Sequence, residues 1–322
     1  MEIRPFFFYD CKAMIYISPQ HMNNPVLSVP MFNYLEIETQ ADCNRRCPTC
    51  LRQSYINKDN LTHKGRMPVT SKIGTGSKMP FDVFKSIVDQ SIEMGFAGTV
   101  NLQHFNEPLL DERLPELASY VKNKPTIGEI HICTNMDLIT EETAKDLDGV
   151  IDIFTISLYM PREKQVERER WIQSLFKKSH LNFKGPGHVI THYSPTDFVR
   201  TMATGDSYHN LENQNRGDFV DATGAPRDRH RGQDRVPETV EEVSQGVSEM
   251  PCVNYTHMLI VAYDGTILHC CEDYVGHFGL GNVNSMSLKD IWESETHRRL
   301  VEDLSHAGGR QKYSYCSNCP RY

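Results

Sequence analysis

Hydrophobic residues in the first half of the chain follow two alternating patterns. NYLEIETQ (33–40) alternates apolar and polar residues as a strand does, whereas PFDVFKSIVDQSIEMG (80–95) repeats its apolar residues at helical spacing and ends near Gly95. The helical face of that segment is formed by Val83, Phe84, Ile87 and Ile92. The same patterns predict further strands at 99–105, 129–135, 151–159 and 188–193, and helices at 110–123, 139–147 and 161–178.

This β–α repeat predicts the fold class. Strands that alternate with helices form a parallel sheet with right-handed crossovers, and five or six such units predict an α/β protein with a partial (β/α)6 TIM-like barrel. In such folds the chemistry lies at the carboxyl ends of the strands. After the barrel, MLIVAYDGTILHCC predicts a β-hairpin around Asp264-Gly265, and residues 287–306 predict one amphipathic helix.

Changes in composition divide the chain into four predicted segments. Residues 194–250 are polar, with few large apolar side chains, and this loss of pattern predicts a long loop region. The predicted segments are an N-terminal extension (1–30), the barrel core (31–195), a polar connector or substrate lid with room for a last barrel strand (196–250), and a small C-terminal unit (251–322).

Charge and hydropathy exclude several classes of partner. The net charge of −8 gives no global positive field, so we expect no nucleic-acid partner, and the basic stretch from Arg227 to Arg235 is interleaved with acidic residues. No apolar run approaches the roughly 18 residues that span a bilayer, and the first residues do not resemble a signal peptide. We therefore expect no membrane association and a cytoplasmic location.

The cysteines are clustered, which favours metal binding over disulfides in a cytosolic chain. Cys43, Cys47 and Cys50 lie in CNRRCPTC, directly after the first predicted strand. Three thiolates on one short loop leave one iron of a 4Fe–4S cluster open to bind a small molecule, since such a cluster normally takes four. A zinc site would need a fourth ligand, and none lies nearby in the sequence.

At this motif the chain resembles the radical S-adenosylmethionine (SAM) superfamily, whose hallmark is Cys-x3-Cys-x2-Cys after the first barrel strand. The resemblance implies that the open iron chelates the amino and carboxylate groups of SAM. Reductive cleavage then gives a 5′-deoxyadenosyl radical that abstracts a hydrogen atom from the substrate. The sequence departs from the family at Thr49, where an aromatic residue is common, although the backbone there can still face the adenine.

The resemblance extends to other predicted strand ends. Asn106 and Glu107 stand where the family carries a Gly-Gly-Glu-like motif that holds the methionine amino group, although the glycines are absent. Asn135 resembles another SAM-side motif, and Ser157 fits a position that hydrogen-bonds the ribose. The alternative for each is an ordinary turn former, because serine and asparagine are common in turns.

A second set of cysteines lies in the C-terminal unit. The hairpin brings Cys252 near Cys270, and Cys316-x2-Cys319 supplies two more thiolates for a closed site, whose spacing is compatible with zinc or iron–sulfur. The spacing resembles the twitch form of the SPASM domain, which implies an auxiliary 4Fe–4S cluster. Cys271 is left over; it is either a buried small residue or, as in some radical SAM epimerases, a hydrogen donor.

These features predict an enzyme that oxidises or epimerises a small hydroxylated molecule of the sugar or aminocyclitol type. Its expected electron donor is a reductase such as flavodoxin or ferredoxin. Two alternatives are a maturase of ribosomally made peptides, disfavoured because only about 30 residues precede the first strand, and a metal-binding scaffold without catalysis. Candidate substrate-binding residues are His104, Tyr159, His188, His192 and Arg216.

Overall fold

The computed structural model describes residues 29–45, 76–157, 162–176, 189–192, 251–252, 257–270, 273 and 276–317. Within them, strands and helices alternate in the predicted order. The strands are β1 (Tyr34–Ile37), β2 (Thr99–Asn101), β3 (Glu129–Thr134), β4 (Ile153–Ser157), β5 (Val189–His192), β6 (Met258–Val261) and β7 (Ile267–Leu268). The helices are α1 (Phe81–Glu93), α2 (Leu114–Lys122), α3 (Glu141–Leu147), α4 (Arg162–Leu175), α5 (Leu288–Trp292), α6 (Glu295–Leu304) and α7 (Ser314–Ser317).

The described strands form one sheet in the order β5-β4-β3-β2-β1-β6-β7. All neighbours from β5 to β6 are parallel, and β7 pairs with β6 in antiparallel fashion, which confirms the α/β class and the predicted hairpin. The sixth parallel strand, β6, comes from the C-terminal unit and pairs with β1. The hairpin therefore extends the barrel sheet, and β1 lies between the first repeat and the C-terminal segment.

The two faces of the sheet differ in chemistry. Alternate residues of each strand point to opposite faces, and on one face Leu35, Val100, Ile132 and Phe154 pack in a buried apolar core with the helices. The opposite face carries hydrogen-bonding side chains at the intervening positions. We call this the polar face; its members on the first four strands are Tyr34, Glu36, Asn101, His131, Cys133, Thr155 and Ser157.

Two helix ends carry the signals that the sequence predicted, whereas α2 begins at Leu114 rather than at residue 110, because a 3-10 turn at Pro108–Leu110 precedes it. The Thr140 hydroxyl accepts a hydrogen bond from Thr143 N at 3.1 Å and caps α3 as predicted. Helix α1 ends at Glu93, and Gly95 follows with φ +98°, a left-handed conformation that favours glycine. Phe84 and Ile87 are buried, and Val83 and Ile92 are partly buried against the core, so the predicted helical face is confirmed.

The single helix predicted over 287–306 is wrong: two helices occupy this segment. Helix α5 ends at Trp292, and Ser294 begins α6 by accepting a hydrogen bond from His297 N at 3.2 Å. A serine with its own capping bond competes with helix continuation, which explains the break. Helix α5 docks on the barrel through Leu288 N, which donates to Gln90 Oε1 at 2.8 Å, and Trp292 packs edge-on against Phe32.

No helix in the described ranges combines the length and apolar character needed to span a membrane.

A substitution at Gly98 tests the packing at the base of the sheet. A Cβ atom at this position would lie 1.8 Å from the backbone oxygen of Asn33, which accepts a hydrogen bond from Thr99 N. We expect Gly98→Ala to lower the free energy of unfolding by about 1–3 kcal/mol, because the backbone must move. In Gly128→Ala, the matched control, the nearest atoms to the new Cβ lie at 3.4 Å. Chemical denaturation measures both variants, and equal stabilities would contradict this account of the packing.

Candidate functional site

The first cysteine of the predicted cluster loop lies at the carboxyl edge of the sheet. Cys43 follows β1 by six residues and is half-buried, and its Sγ accepts a hydrogen bond from Arg45 N at 3.4 Å. The chain before it is fixed to the end of β2, because Glu107 N donates to Asp42 O at 2.9 Å. Cys47 and Cys50 are the other two cysteines of the loop, and they lie outside the described residues. Thr49 also lies outside them.

Asn44 and Arg45 connect this loop to the turn that follows β3. The Arg45 guanidinium donates to both carboxylate oxygens of Asp137, at 2.5 and 2.8 Å. Asn44 Oδ1 accepts a hydrogen bond from Asn135 Nδ2 at 2.9 Å, and Asn44 Nδ2 donates to Asp137 at 3.2 Å. Asn135, predicted as a SAM-side residue, therefore lies beside the cluster loop.

Glu107 lies beneath the same turn. Its carboxylate accepts hydrogen bonds from the Thr134 hydroxyl at 2.5 Å, from Asn135 N at 2.9 Å and from Leu109 N at 3.1 Å. Burial raises the pKa of Glu107 to about 7, against the lowering effect of these three donors. Because most of its acceptor capacity is used within the protein, the carboxylate fixes the ends of β2 and β3; contact with the SAM amino group stays a prediction.

The turn after β3 is conformationally strained. Met136 has φ +56°, and it is the one non-glycine with positive φ in the part of the chain that the structure describes. A left-handed residue with a large side chain costs free energy and persists where its surroundings fix it. Here Met136 is fully buried, its N donates to the Thr134 hydroxyl, and its carbonyl accepts from Arg168 at 2.6 Å.

Asn106 offers an unused hydrogen-bond donor at the end of β2. Its Oδ1 accepts from His104 N at 3.0 Å, whereas its buried Nδ2 has no hydrogen-bond partner among the described residues. A buried amide donor left without a partner is costly, so the position fits a bound acceptor such as a carboxylate or ribose oxygen of SAM. Ser157 is half-buried at the end of β4, next to His192 in the strand register.

His104 lies on the polar face rather than at its rim. Its Nδ1 forms a hydrogen bond with Glu36, whose other carboxylate oxygen accepts from Asn101 Nδ2 at 3.2 Å, and both side chains of the pair are buried. The neighbouring Glu38 accepts from Phe105 N and from Tyr263 N, both at 3.3 Å. Strand β1 thus connects the end of β2 to the C-terminal hairpin.

A second imidazole, that of His131, lies on the polar face and was not predicted as a site residue. His131 Nδ1 hydrogen-bonds the Tyr34 hydroxyl at 2.8 Å, and Nε2 hydrogen-bonds the Thr155 hydroxyl at 2.8 Å. Cys133 Sγ lies 3.6 Å from the same Nε2. The alternation of EIHICT places His131 and Cys133 on one face, and this was the available signal. Three predicted substrate residues lie outside the described residues: Tyr159, His188 and Arg216.

Three of the four C-terminal cysteines are described. Cys252 N donates to Leu304 O at 2.8 Å at the end of α6, Cys270 follows β7, and Cys316 is buried on α7. Cys319 and Cys271 lie outside the described residues. Within the described ranges alone, no three His, Cys, Asp or Glu side chains form a group that would hold a metal ion.

Buried polar residues flank Cys270, and the sequence reading did not identify them. Asp273 accepts hydrogen bonds from His269 N at 3.1 Å and His277 N at 2.7 Å, and burial raises the pKa of its carboxyl. Burial, with a smaller effect of nearby His297, lowers the pKa of His269 to about 3. Neutral His269 and the Asp273 carboxyl therefore shape the loop that carries Cys270.

The raised pKa of Glu107 predicts how the free energy of unfolding depends on pH. Its carboxyl has a pKa of about 7 in the folded state against 4.5 as the reference value, so the folded state holds this proton more tightly. Its contribution is fully present below pH 4.5 and is lost as pH rises to about 7. We expect the stability of the wild type relative to Glu107→Gln to fall by on the order of 3 kcal/mol across that window. Denaturation of the cluster-free protein at several pH values measures this, and a constant difference between the two proteins would contradict it.

Comparison with known proteins identifies relatives along most of the chain. A curated S-adenosyl-L-methionine-dependent 2-deoxy-scyllo-inosamine dehydrogenase from Niallia circulans is 21% identical over 289 residues, covering 90% of this chain and 93% of the relative. The crystal structure of BtrN in complex with AdoMet and 2-DOIA has 18% identity and a TM-score of 0.56, with 90% of this chain and 93% of that chain covered. An open conformation of BtrN gives a TM-score of 0.55 at 18% identity, with 90% and 92% covered. These two structures support the partial-barrel fold.

Two family models match the sequence. The model described as the Radical SAM superfamily matches residues 37–181, which contain the three-cysteine loop and strands β2, β3 and β4. The SPASM model, described as an iron-sulfur cluster-binding domain, matches residues 252–320, which contain all four C-terminal cysteines of the predicted closed site. The chain therefore contains a radical SAM domain at residues 37–181 and a SPASM domain at residues 252–320, and it is a radical SAM enzyme that uses SAM and 4Fe–4S clusters.

Proposed function

We propose that this enzyme oxidises a secondary alcohol of a small aminocyclitol-like substrate to a ketone. The observation that carries the proposal is the match to a 2-deoxy-scyllo-inosamine dehydrogenase over 90% of this chain and 93% of the relative. The polar face supports it, because the hydroxyl and amino groups of a buried ring need hydrogen-bonding partners. A peptide maturase has no comparable observation in its favour and is an outcome of the test below.

The polar face supplies fixed partners for such a substrate. His131 is held from both sides by Tyr34 and Thr155, so its ring has a defined orientation. The Glu36–His104 pair and the Asn101 amide form a second buried hydrogen-bonding group on the same face. Side chains held by neighbours lose little entropy when a ligand binds, which favours selective binding of hydroxyl and amino groups. The substrate contacts of Tyr159, His192 and Arg216 belong to this proposal.

The two cysteine sets hold the cofactors in this proposal. Cys43, Cys47 and Cys50 ligate the cluster that binds SAM, and an auxiliary cluster is ligated by Cys252, Cys270, Cys316 and Cys319. When bound, these groups supply a 5′-deoxyadenosyl radical that removes a hydrogen atom from the substrate, and an acceptor for the electron that follows. Loss of a proton from the hydroxyl completes the oxidation. The residues that orient SAM are Thr49, Asn106, Glu107, Asn135 and Ser157.

The remaining assignments are also part of the proposal. The barrel core (31–195) would bind SAM and the substrate, residues 196–250 would cover the substrate, and the unit at 251–322 would hold the auxiliary cluster. The electron donor is a reductase such as flavodoxin or ferredoxin. Reducing conditions keep the clustered cysteines available as ligands, which favours a cytoplasmic location.

The substrate class is tested with aminocyclitols under anaerobic conditions. We expect the reconstituted enzyme, with SAM and dithionite, to form 5′-deoxyadenosine and a ketone in equal amounts from 2-deoxy-scyllo-inosamine or a close analogue. Deuterium at the oxidised carbon should appear in 5′-deoxyadenosine. If solvent deuterium instead enters an epimerised product and Cys271→Ala abolishes this, the enzyme is an epimerase. If only a peptide substrate is consumed, the maturase alternative replaces the proposal.

The two predicted clusters are separated by cysteine variants. We expect Cys43→Ala to abolish 5′-deoxyadenosine formation, because the cluster that binds SAM loses one of its three ligands. We expect Cys270→Ala to retain SAM cleavage while the ketone formed per 5′-deoxyadenosine falls at least about tenfold, since ligand loss removes the electron acceptor. Cys11→Ala, which changes a cysteine outside both sets and outside the polar face, is the control. An unchanged product ratio in Cys270→Ala would contradict the role of the auxiliary cluster.

A further inference from the structure

The turn after β3, residues 134–137, is held more firmly than a connecting loop requires. Glu107 accepts hydrogen bonds from the Thr134 hydroxyl and from Asn135 N below it, and Arg168 of α4 donates to the carbonyl of Met136 from another side. These contacts maintain Met136 at φ +56°. Strain that is stabilised from several directions indicates a local geometry with a purpose beyond chain reversal.

That geometry directs Asn135 and Asp137 toward the cluster loop. The two residues flank Met136, and both contact Asn44. Asp137 also accepts two hydrogen bonds from Arg45, at 2.5 and 2.8 Å, in a bidentate ion pair whose partners are 19% and 25% exposed. Bidentate guanidinium–carboxylate pairs fix orientation as well as distance.

The position of Arg45 in the sequence places this ion pair on the cysteine loop. Arg45 and Asn44 are two of the three residues between Cys43 and Cys47, so the pair acts on the segment that separates two predicted iron ligands. The Arg45 backbone also donates to Cys43 Sγ at 3.4 Å, and hydrogen bonds to a ligating sulfur tune a cluster. Partly exposed ion pairs contribute roughly 1 kcal/mol or less to folding stability, so the melting temperature of a variant separates a structural role of this pair from a role in the loop.

We propose that Arg45 and Asp137 are positioning residues for the radical-generating cluster, and that they hold the cysteine loop in the orientation in which SAM reaches the open iron. The strained turn at 134–137 is the support from which Asp137 acts. The inference rests on the radical SAM domain and on the assignment of Cys43 as a ligand. It does not depend on the substrate, so it survives if the proposed aminocyclitol oxidation fails.

The test uses the reconstituted full-length enzyme with Asp137→Asn, which keeps the shape of the side chain and removes its charge. We expect the iron content and the melting temperature of the reconstituted protein to match those of the wild type. The dissociation constant for SAM, measured by titration, should rise about 10- to 100-fold, as is typical when residues that orient metal ligands are changed. The change that SAM causes in the electron paramagnetic resonance spectrum of the reduced cluster should weaken in parallel.

Two further variants make the test decisive. Arg45→Lys keeps the charge but loses the bidentate pair, and we expect a smaller rise in the dissociation constant than for Asp137→Asn. Lys122→Gln removes the ion pair with Asp152 at the surface of the barrel and is the matched control, expected to bind SAM as the wild type does.

Two results would overturn it. Wild-type SAM affinity and an unchanged resonance spectrum in Asp137→Asn would show that the ion pair does not orient the loop. A fall in the melting temperature of the reconstituted protein, with SAM affinity changed no more than in Lys122→Gln, would assign the pair a structural role only.

Discussion

Buried Glu107 joins three strand ends through its backbone and its carboxylate, and the candidate site depends on that junction. Its backbone bonds to Asp42 just before the cluster loop, and its side chain accepts the hydroxyl and backbone donors of the turn after β3. Burial raises the pKa of Glu107, which shows the electrostatic cost of this arrangement. The arrangement fixes the distance between the cysteine loop and the neighbouring strand ends. Radical chemistry needs such fixed positions.

The division of the sheet into two faces separates folding from chemistry. The apolar face packs Leu35, Ile132 and Phe154 against the helices and provides the buried area that stabilises the fold. The opposite face can then carry Glu36 and His131, whose polar groups are satisfied by neighbouring strands. Strand β1 is central to both functions, because it pairs with β2 on one side and with β6 on the other. Through β6, the barrel and the segment that holds the second cysteine set share one sheet.

The periodicity of the sequence and the spacing of its cysteines predicted much of the fold and the family. The parallel strands, the hairpin at Asp264-Gly265 and the Thr140 cap follow from local patterns, and the cysteine spacing indicated the family before any comparison. The break at Ser294 was missed because a capping serine inside an amphipathic pattern is invisible to periodicity. The Arg45–Asp137 pair joins residues 92 positions apart, and such contacts depend on the tertiary fold rather than on local sequence. The roles of the predicted site residues stay predictions.

We expect one cluster to have an open iron that binds SAM and the other to be closed by four thiolates. Mössbauer spectroscopy on protein reconstituted with ⁵⁷Fe tests it most directly. We expect about eight irons per chain, four in each cluster, and SAM should change the signal of a single iron. About four irons with zinc would remove the auxiliary iron–sulfur cluster from the account, and a fully loaded protein whose spectrum does not respond to SAM would contradict the claim itself.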